Sequence, residues 1–419
     1  MTPLAELADA RRRTLALTED LHDEQLRVPL LETINPFVWE LGHIAYFAEF
    51  WTLRNLFGRD PIVANADLLY DSATVEHDDR WNLPLPSRVQ TLAFMQRQFD
   101  ELSANAGAAI ATDAGRYFLQ LILFHEDMHG EALVYTRQTL AYPAPALTAD
   151  IPPPGGALPG DARIRGGRYT IGADPADGFA FDNEKWAHEV ELGDFAIARA
   201  AVTNAQFAAF VEDGGYANRH FWADDGWAWR ENARAEHPIY WEAANGGRGT
   251  AAFRRRQFDR LAVLRDHEPV SHVNYFEAQA YCAWAGRRLP TEAEWEVAAT
   301  GSQRRRYPWG DEPPQAGHAN LDGAIGTTCD VGAFETGESP TGCRQMLGNV
   351  WEWTQTTFEP YPGFTIDPYA EYSAPWFGSH KVLRGGAWST RRRLITTRWR
   401  NFYRPHRRDI ITGFRTVKI

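Results

Sequence analysis

The sequence predicts two domains of different texture: an N-terminal all-α four-helix bundle and a C-terminal α+β domain with few regular elements and many long loops. Three observations carry that reading. The chain has 419 residues, too many for one ordinary core. Helical periodicity runs through residues 1–143 and then stops. A stretch rich in Pro, Ala and Gly follows, and beyond it short segments separated by Gly, Asn and Asp carry much of the aromatic content.

The elements follow in order. Leu4, Leu7, Ala8, Leu15 and Leu17 begin an amphipathic stripe that runs toward Leu21. Pro36 opens a second helix, PFVWELGHIAYFAEFWTLRNLF, because proline suits a first helical turn. A third runs from about Pro86 to Leu102. A fourth starts after Thr112 and Asp113, good N-cap types, and continues to about Leu140. Residues 144–162, in AYPAPALTADIPPPGGALPGD, read as an ordered or semi-rigid linker. Residues 163–419 form the second domain, in which FEAQAYCAWAG is the one clearly helical stretch. No internal repeat is visible.

Composition removes several functions. A hydrophobic share of 44% against 23% charged residues fits a soluble globular chain. With 43 basic and 55 acidic residues the net charge is −12, which argues against a nucleic-acid partner. Three cysteines, Cys282, Cys329 and Cys343, exclude a disulfide scaffold and fit a reducing compartment, so the expected location is the cytoplasm. Cys282 reads as a small core residue, and Cys329 and Cys343 as at most a local pair. No apolar run reaches the roughly 18 residues of a membrane span, and the charged N-terminus is not a signal peptide.

The chemistry is in FLQLILFHEDMHGEALVY. His125 and His129 are four apart and share a helical stripe with Phe118, Ile122 and Ala132, so they face the bundle interior. Two imidazoles at that spacing can hold one metal ion. HEDMH also matches the zinc-protease pattern with Glu126 as candidate base, but Gln138 and Thr139 lie where its third histidine would fall. The better third ligand is His43, in the middle of the apolar second helix, where Gly42 allows a close approach. A lone histidine there would ordinarily be a core residue. Three histidines without a strong carboxylate ligand would leave open positions on iron(II), as in the facial-triad oxygenases.

The C-terminal segments FDNEKWAHEV, AVTNAQFAAFVEDGGY, PVSHVNYFEAQAYCAWAGRRLPTEAEWEVAA, YPWGDE, LGNVWEWT, VLRGGAW and a final GFR resemble the formylglycine-generating-enzyme-like fold, a relative of the C-type lectin fold. The bundle, with GHxxxF and HxxxHxE, looks like a DinB-type bundle. The pairing in this order is similar to the ergothioneine and ovothiol sulfoxide synthases and the related selenoneine synthases. The resemblance implies a mononuclear Fe(II) enzyme that uses O₂ to join a sulfur or selenium donor to the imidazole of a histidine derivative. It implies His43, His125 and His129 as metal ligands, with Glu131 as a candidate for steadying one of them. The stretch matching the catalytic cysteines of formylglycine-generating enzymes, VLRGGAWSTRRRLITTRWRNFYRP, has no cysteine, so that chemistry is not expected.

The resemblance implies hercynine, Nα-trimethylated histidine, as the preferred imidazole substrate of the ergothioneine and selenoneine branches, its quaternary ammonium held by aromatic faces. The matching segments supply Phe358, Tyr361, Asn401, Phe402, Tyr403 and Arg407, while Trp295, Trp309, Trp351 and Trp353 sit in fold-wide motifs and are structural. Departures from the sulfoxide-synthase pattern point toward selenium. Phe358 stands where a tyrosine assists oxygen chemistry, and Tyr403 where an acidic residue would pair with glutamyl-cysteine. Asp78 and Asp79, beside Arg80, suit sugar hydroxyls better than carboxylates, and Met128 replaces a polar residue between the metal histidines. The expected activity is therefore selenoneine synthesis from 1-seleno-glucose. The alternatives are a sulfoxide synthase using cysteine or γ-glutamyl-cysteine and, more distantly, a zinc hydrolase.

Overall fold

A computed structural model describes residues 2–147, 150–244 and 246–419. The chain divides into two compact units, Met1–Leu147 and Thr148–Ile419.

The first unit is helical. Helix α1 (Pro3–Ala16) starts on a Thr2 cap with proline in its first turn. It ends earlier than the stripe toward Leu21 suggests, for a reason remote in sequence. Arg137 donates to the Leu17 carbonyl at 2.9 Å and to both Asp20 carboxylate oxygens at 2.7 and 2.6 Å. A buried guanidinium thus closes the end of α1, and Leu17 and Leu21 are buried in the turns beyond it.

Helix α2 (Phe37–Ala48) continues through a wider π-helical turn, Glu49–Arg54, and a last turn, Asn55–Phe57, that ends at Gly58 with φ of 61°. A short helix α3 (Ala66–Tyr70) and a 3₁₀ turn, His77–Trp81, follow. Helix α4 (Arg88–Ile110) begins on a Ser87–Gln90 capping box and extends past the expected end near Leu102, because Leu102, Ala106 and Ala109 keep one buried face. Helix α5 (Asp113–Thr139) begins on Thr112, whose hydroxyl accepts from Gly115 N at 3.0 Å. Arg11 ties α1 to its neighbours: it donates to Glu126 at 2.8 and 3.3 Å and to the Met95 carbonyl at 2.7 Å.

The second unit is α+β. One sheet orders strands Asp161–Ile164, Phe195–Ala198, Val417–Lys418 and Arg287–Arg288. Another orders Asn401–Tyr403, Lys381–Arg384, Trp351–Thr357 and Thr412–Gly413. Helices Asn204–Glu212, Tyr275–Trp284 and Glu292–Thr300 each begin on a capping box. Its recurring motifs are buried ion pairs and anchored indoles. Arg415 forks onto Glu352 at 2.6 and 2.7 Å, and Trp295 donates to the same carboxylate at 2.8 Å. Arg400 forks onto Glu292 at 2.8 and 2.9 Å, and Arg384 pairs with Glu296. Paired and hydrogen-bonded, these charges are tolerated inside. The linker lies against this unit: Gly156 N donates to Asp330 at 2.8 Å. All three cysteines are free and buried. Among the described residues no helix is long and apolar enough to cross a membrane.

Candidate metal centre

His43 on α2 and His125 and His129 on α5 come together, with one ring nitrogen of each within 4.8 Å of the others. The surrounding bonds decide which nitrogens these are. His43 Nδ1 lies 2.7 Å from the Tyr70 carbonyl oxygen, which can only accept, so Nδ1 carries the proton and Nε2 keeps its lone pair. His129 Nδ1 lies 2.5 Å from Glu40 Oε1, a carboxylate that imposes the same tautomer. The Nε2 atoms of His125 and His129 then face one another at 3.0 Å. With the His125 proton on Nε2 this is a hydrogen bond to the His129 lone pair, and with that proton on Nδ1 the three ring nitrogens offer a cation three lone pairs, so the donor set fits a bound metal ion.

Burial reinforces this. His43 and His125 are 3% and 4% exposed. Burial above all, then the neighbouring His129, pushes His43 down to about 3 and His125 well below the ordinary histidine value. Both rings are therefore neutral at neutral pH, the form in which an imidazole can bind a metal. Burial opposes the charge on Glu40, yet His129 and its hydrogen bond hold this carboxyl below the usual carboxylate range.

Aromatic rings cover the centre. Trp39 stacks on His43 at 4.8 Å between centroids and Phe47 on His125 at 3.5 Å. Trp39 Nε1 donates to the Leu69 carbonyl at 2.8 Å, so α3 anchors both Trp39 and His43 through consecutive carbonyls. Gly42 permits this close approach, since a Cβ there would lie 2.2 Å from the Tyr70 ring.

Glu126 does not serve this centre. Both of its oxygens accept from Arg11, which removes the base that a zinc-protease reading requires. Glu131 is buried on the same helix, at 7% exposure. Met128 is half-buried on the same helix. Sequence reasoning missed Glu40, whose only signal was a lone carboxylate three residues before His43 on an apolar helix.

The remaining expected site residues fall in three places. Asp78 and Asp79 are exposed on the 3₁₀ turn, and Asp78 bonds His77 Nδ1 at 2.8 Å. Arg80 turns inward, its guanidinium 4.0 Å from the Trp39 ring centroid. In the second unit Phe358 is wholly buried and stacks on Phe402 at 4.1 Å, while Arg400 lies over Tyr361 at 3.9 Å. Asn401 accepts from Phe402 N at 2.8 Å. Tyr403 lies beneath the Arg407 guanidinium at 5.1 Å, and Arg407 is forked onto Asp409 at 2.7 and 2.6 Å.

Comparison with known proteins agrees with both halves of this description. Residues 6–133 match the DinB superfamily, and residues 149–419 match the sulfatase-modifying factor enzyme 1-like domain. The formylglycine-generating enzyme of Streptomyces coelicolor is 33% identical over 288 residues, 59% of this chain and 85% of that one. The hercynine oxygenase of Mycolicibacterium thermoresistibile is 39% identical over 425 residues, 98% of this chain and 93% of that one. That of Mycobacterium tuberculosis is 38% identical over 431 residues, 98% of this chain and 96% of that one. Similarity of this grade along the whole length, and not in one half alone, means that the chain belongs to the hercynine oxygenase family.

Proposed function

We propose that this chain is a cytoplasmic, non-haem iron(II), O₂-dependent enzyme that joins a chalcogen donor to the imidazole C2 of hercynine, with 1-seleno-glucose as the donor. In the overall reaction the C2–H and Se–H bonds are lost and a C2–Se bond forms. One atom of O₂ ends on selenium and the other leaves as water. The observation that carries this reading is the convergence of three imidazole nitrogens, two with protons committed outward, in a member of the hercynine oxygenase family.

Bound to His43, His125 and His129, iron(II) would supply open coordination positions and redox capacity. The protein's own groups do the rest. Tyr70 O and Glu40 hold the Nδ1 protons, so His43 and His129 stay oriented ligands. Trp39 and Phe47 keep water from two of the rings. The faces of Phe402 and Tyr403 suit the trimethylammonium group, with Tyr361, Asn401 and Arg407 in the same hercynine-binding set. The exposed carboxylates of Asp78 and Asp79 accept hydrogen bonds from sugar hydroxyls, and Met128 borders the donor beside the ligands. Phe358 has no hydroxyl, so its ring delivers neither proton nor electron in the manner of a tyrosine.

An aerobic assay read by mass spectrometry tests this. Iron(II)-loaded protein meets hercynine with 1-seleno-glucose, 1-thio-glucose, cysteine or γ-glutamyl-cysteine, each separately. A seleno-glucose adduct far above the others is expected. A sulfoxide from cysteine or γ-glutamyl-cysteine would make the chain a sulfur enzyme and overturn the donor assignment. No adduct from any donor would overturn the activity.

A further inference from the structure

Behind His129 lies a chain of contacts that the ligand set alone does not require. Glu40 Oε1 accepts a hydrogen bond from His129 Nδ1, and its other oxygen accepts from Asn35 Nδ2 at 2.8 Å. The Asn35 side-chain oxygen Oδ1 in turn accepts from Arg80 Nη1 at 2.7 Å. A second route leaves the same guanidinium: it lies over Trp39, and Trp39 stacks on His43. Arg80 thus reaches two of the three ligands from outside, one by hydrogen bonds and one by ring stacking.

The segment that carries Arg80 is itself fastened to the loop that carries Asn35. His77 Nε2 bonds the Ile34 carbonyl at 2.9 Å, and Trp81 Nε1 donates to the Val28 carbonyl at 2.7 Å. Arg80 also donates to the Val75 carbonyl at 3.3 Å. The 3₁₀ turn therefore acts as a clip across the start of α2. A buried carboxylate that is hydrogen-bonded on both oxygens keeps a fixed orientation and makes its histidine a stronger ligand.

We propose that Glu40, braced by Asn35 and Arg80, is the positioning group of the metal centre, and that the turn at residues 77–81 sets how tightly the three histidines hold their ion. This rests on the metal-centre reading above. It gives Arg80 a role toward the ligands rather than toward the donor. Arginine is required because its planar fork serves the Asn35 amide while its face covers the indole; a lysine ammonium cannot do both.

The test uses the full chain, stripped of metal and titrated anaerobically with Co(II) against a chromophoric chelator. The visible Co(II) spectrum and the melting temperature of each metal-free variant are recorded alongside. Glu40→Gln keeps shape and an acceptor but loses the charge, and should weaken Co(II) binding by about 10- to 100-fold. Asn35→Ala, Arg80→Ala and Arg80→Lys should weaken it in the same direction and shift the Co(II) bands. These three decide the matter if Glu40→Gln does not fold. Wild-type affinity and bands in all of them, with or without a lower melting temperature, would make the clip a structural brace only and overturn the proposal. If the wild type binds no Co(II), or His129→Ala binds it equally well, the metal-centre reading itself fails.

Discussion

Substituting Gly42 by alanine puts the packing around His43 to a quantitative test. Glycine inside a helix costs about 1 kcal/mol relative to alanine, so on propensity alone the change should stabilise α2. The surroundings oppose it. The new Cβ would stand 2.2 Å from Tyr70 Cε1, 2.4 Å from Cζ and 2.7 Å from the hydroxyl. Contact distance for carbon is about 3.7 Å, so the ring must withdraw by about 1.5 Å. Tyr70 is 0% exposed and packs against Phe94, with ring centroids 6.3 Å apart. Overpacking of that kind costs about 1–3 kcal/mol, which leaves a net loss of up to about 2 kcal/mol. The withdrawal also pulls the Leu69 and Tyr70 carbonyls from Trp39 and His43, so metal affinity falls together with stability. Urea unfolding followed by the helical circular-dichroism signal, with a metal titration beside it, measures both. A variant about 1 kcal/mol more stable than the wild type with unchanged metal affinity would refute the spacer role of Gly42.

Four further outcomes are expected. His129→Ala should abolish iron loading, measured by metal analysis after anaerobic reconstitution; unchanged iron content would sink the ligand assignment. Arg11→Ala breaks a buried pair and should cost about 3–5 kcal/mol in urea unfolding, whereas Glu126→Gln should leave turnover intact, and a Glu126→Gln protein that binds metal but turns nothing over would restore Glu126 as a base. His272, buried beneath Tyr240 with Arg255 and Arg256 nearby and Nδ1 3.1 Å from the Asp409 carbonyl, is pushed down to about 3, first by burial and then by Arg255. The unfolded chain protonates this group near 6.5 and the folded one does not, so stability falls as pH drops from about 6.5 toward about 3, by up to about 1.4 kcal/mol per pH unit. Substituting His272 by Asn should flatten that slope when unfolding midpoints are compared between pH 7 and 4, and parallel slopes would count against it.

Local rules made the bundle legible, and distance in sequence hid the rest. The i, i+4 spacing of His125 and His129 is a property of one helix and could be read directly. His43 stood out as a polar residue in an apolar run. Glu40 did not, because a glutamate on a helix ordinarily faces water, and only the packing of α5 on α2 turns it toward His129. The end of α1 was illegible for the same reason: the group that closes it, Arg137, arrives from α5. In the second unit the motifs identified the fold family, but not its sheets. Val417 pairs with Ile197 and with Arg288 in strands as short as two residues, a register no local pattern encodes.

The outward-turned protons of His43 and His129 have a practical consequence. They leave a donor set made of imidazole nitrogens alone, a ligand type that several divalent metals share. Imidazole donors hold nickel, copper and zinc more tightly than ferrous iron. On the proposed iron(II) chemistry, protein overproduced in rich medium should leave the purification column carrying whichever of those competitors was most abundant, and gain activity only when they are exchanged for iron. Choosing the working ion then falls to the cell that loads the bundle, through the metals it keeps free, and not to the bundle's own affinity.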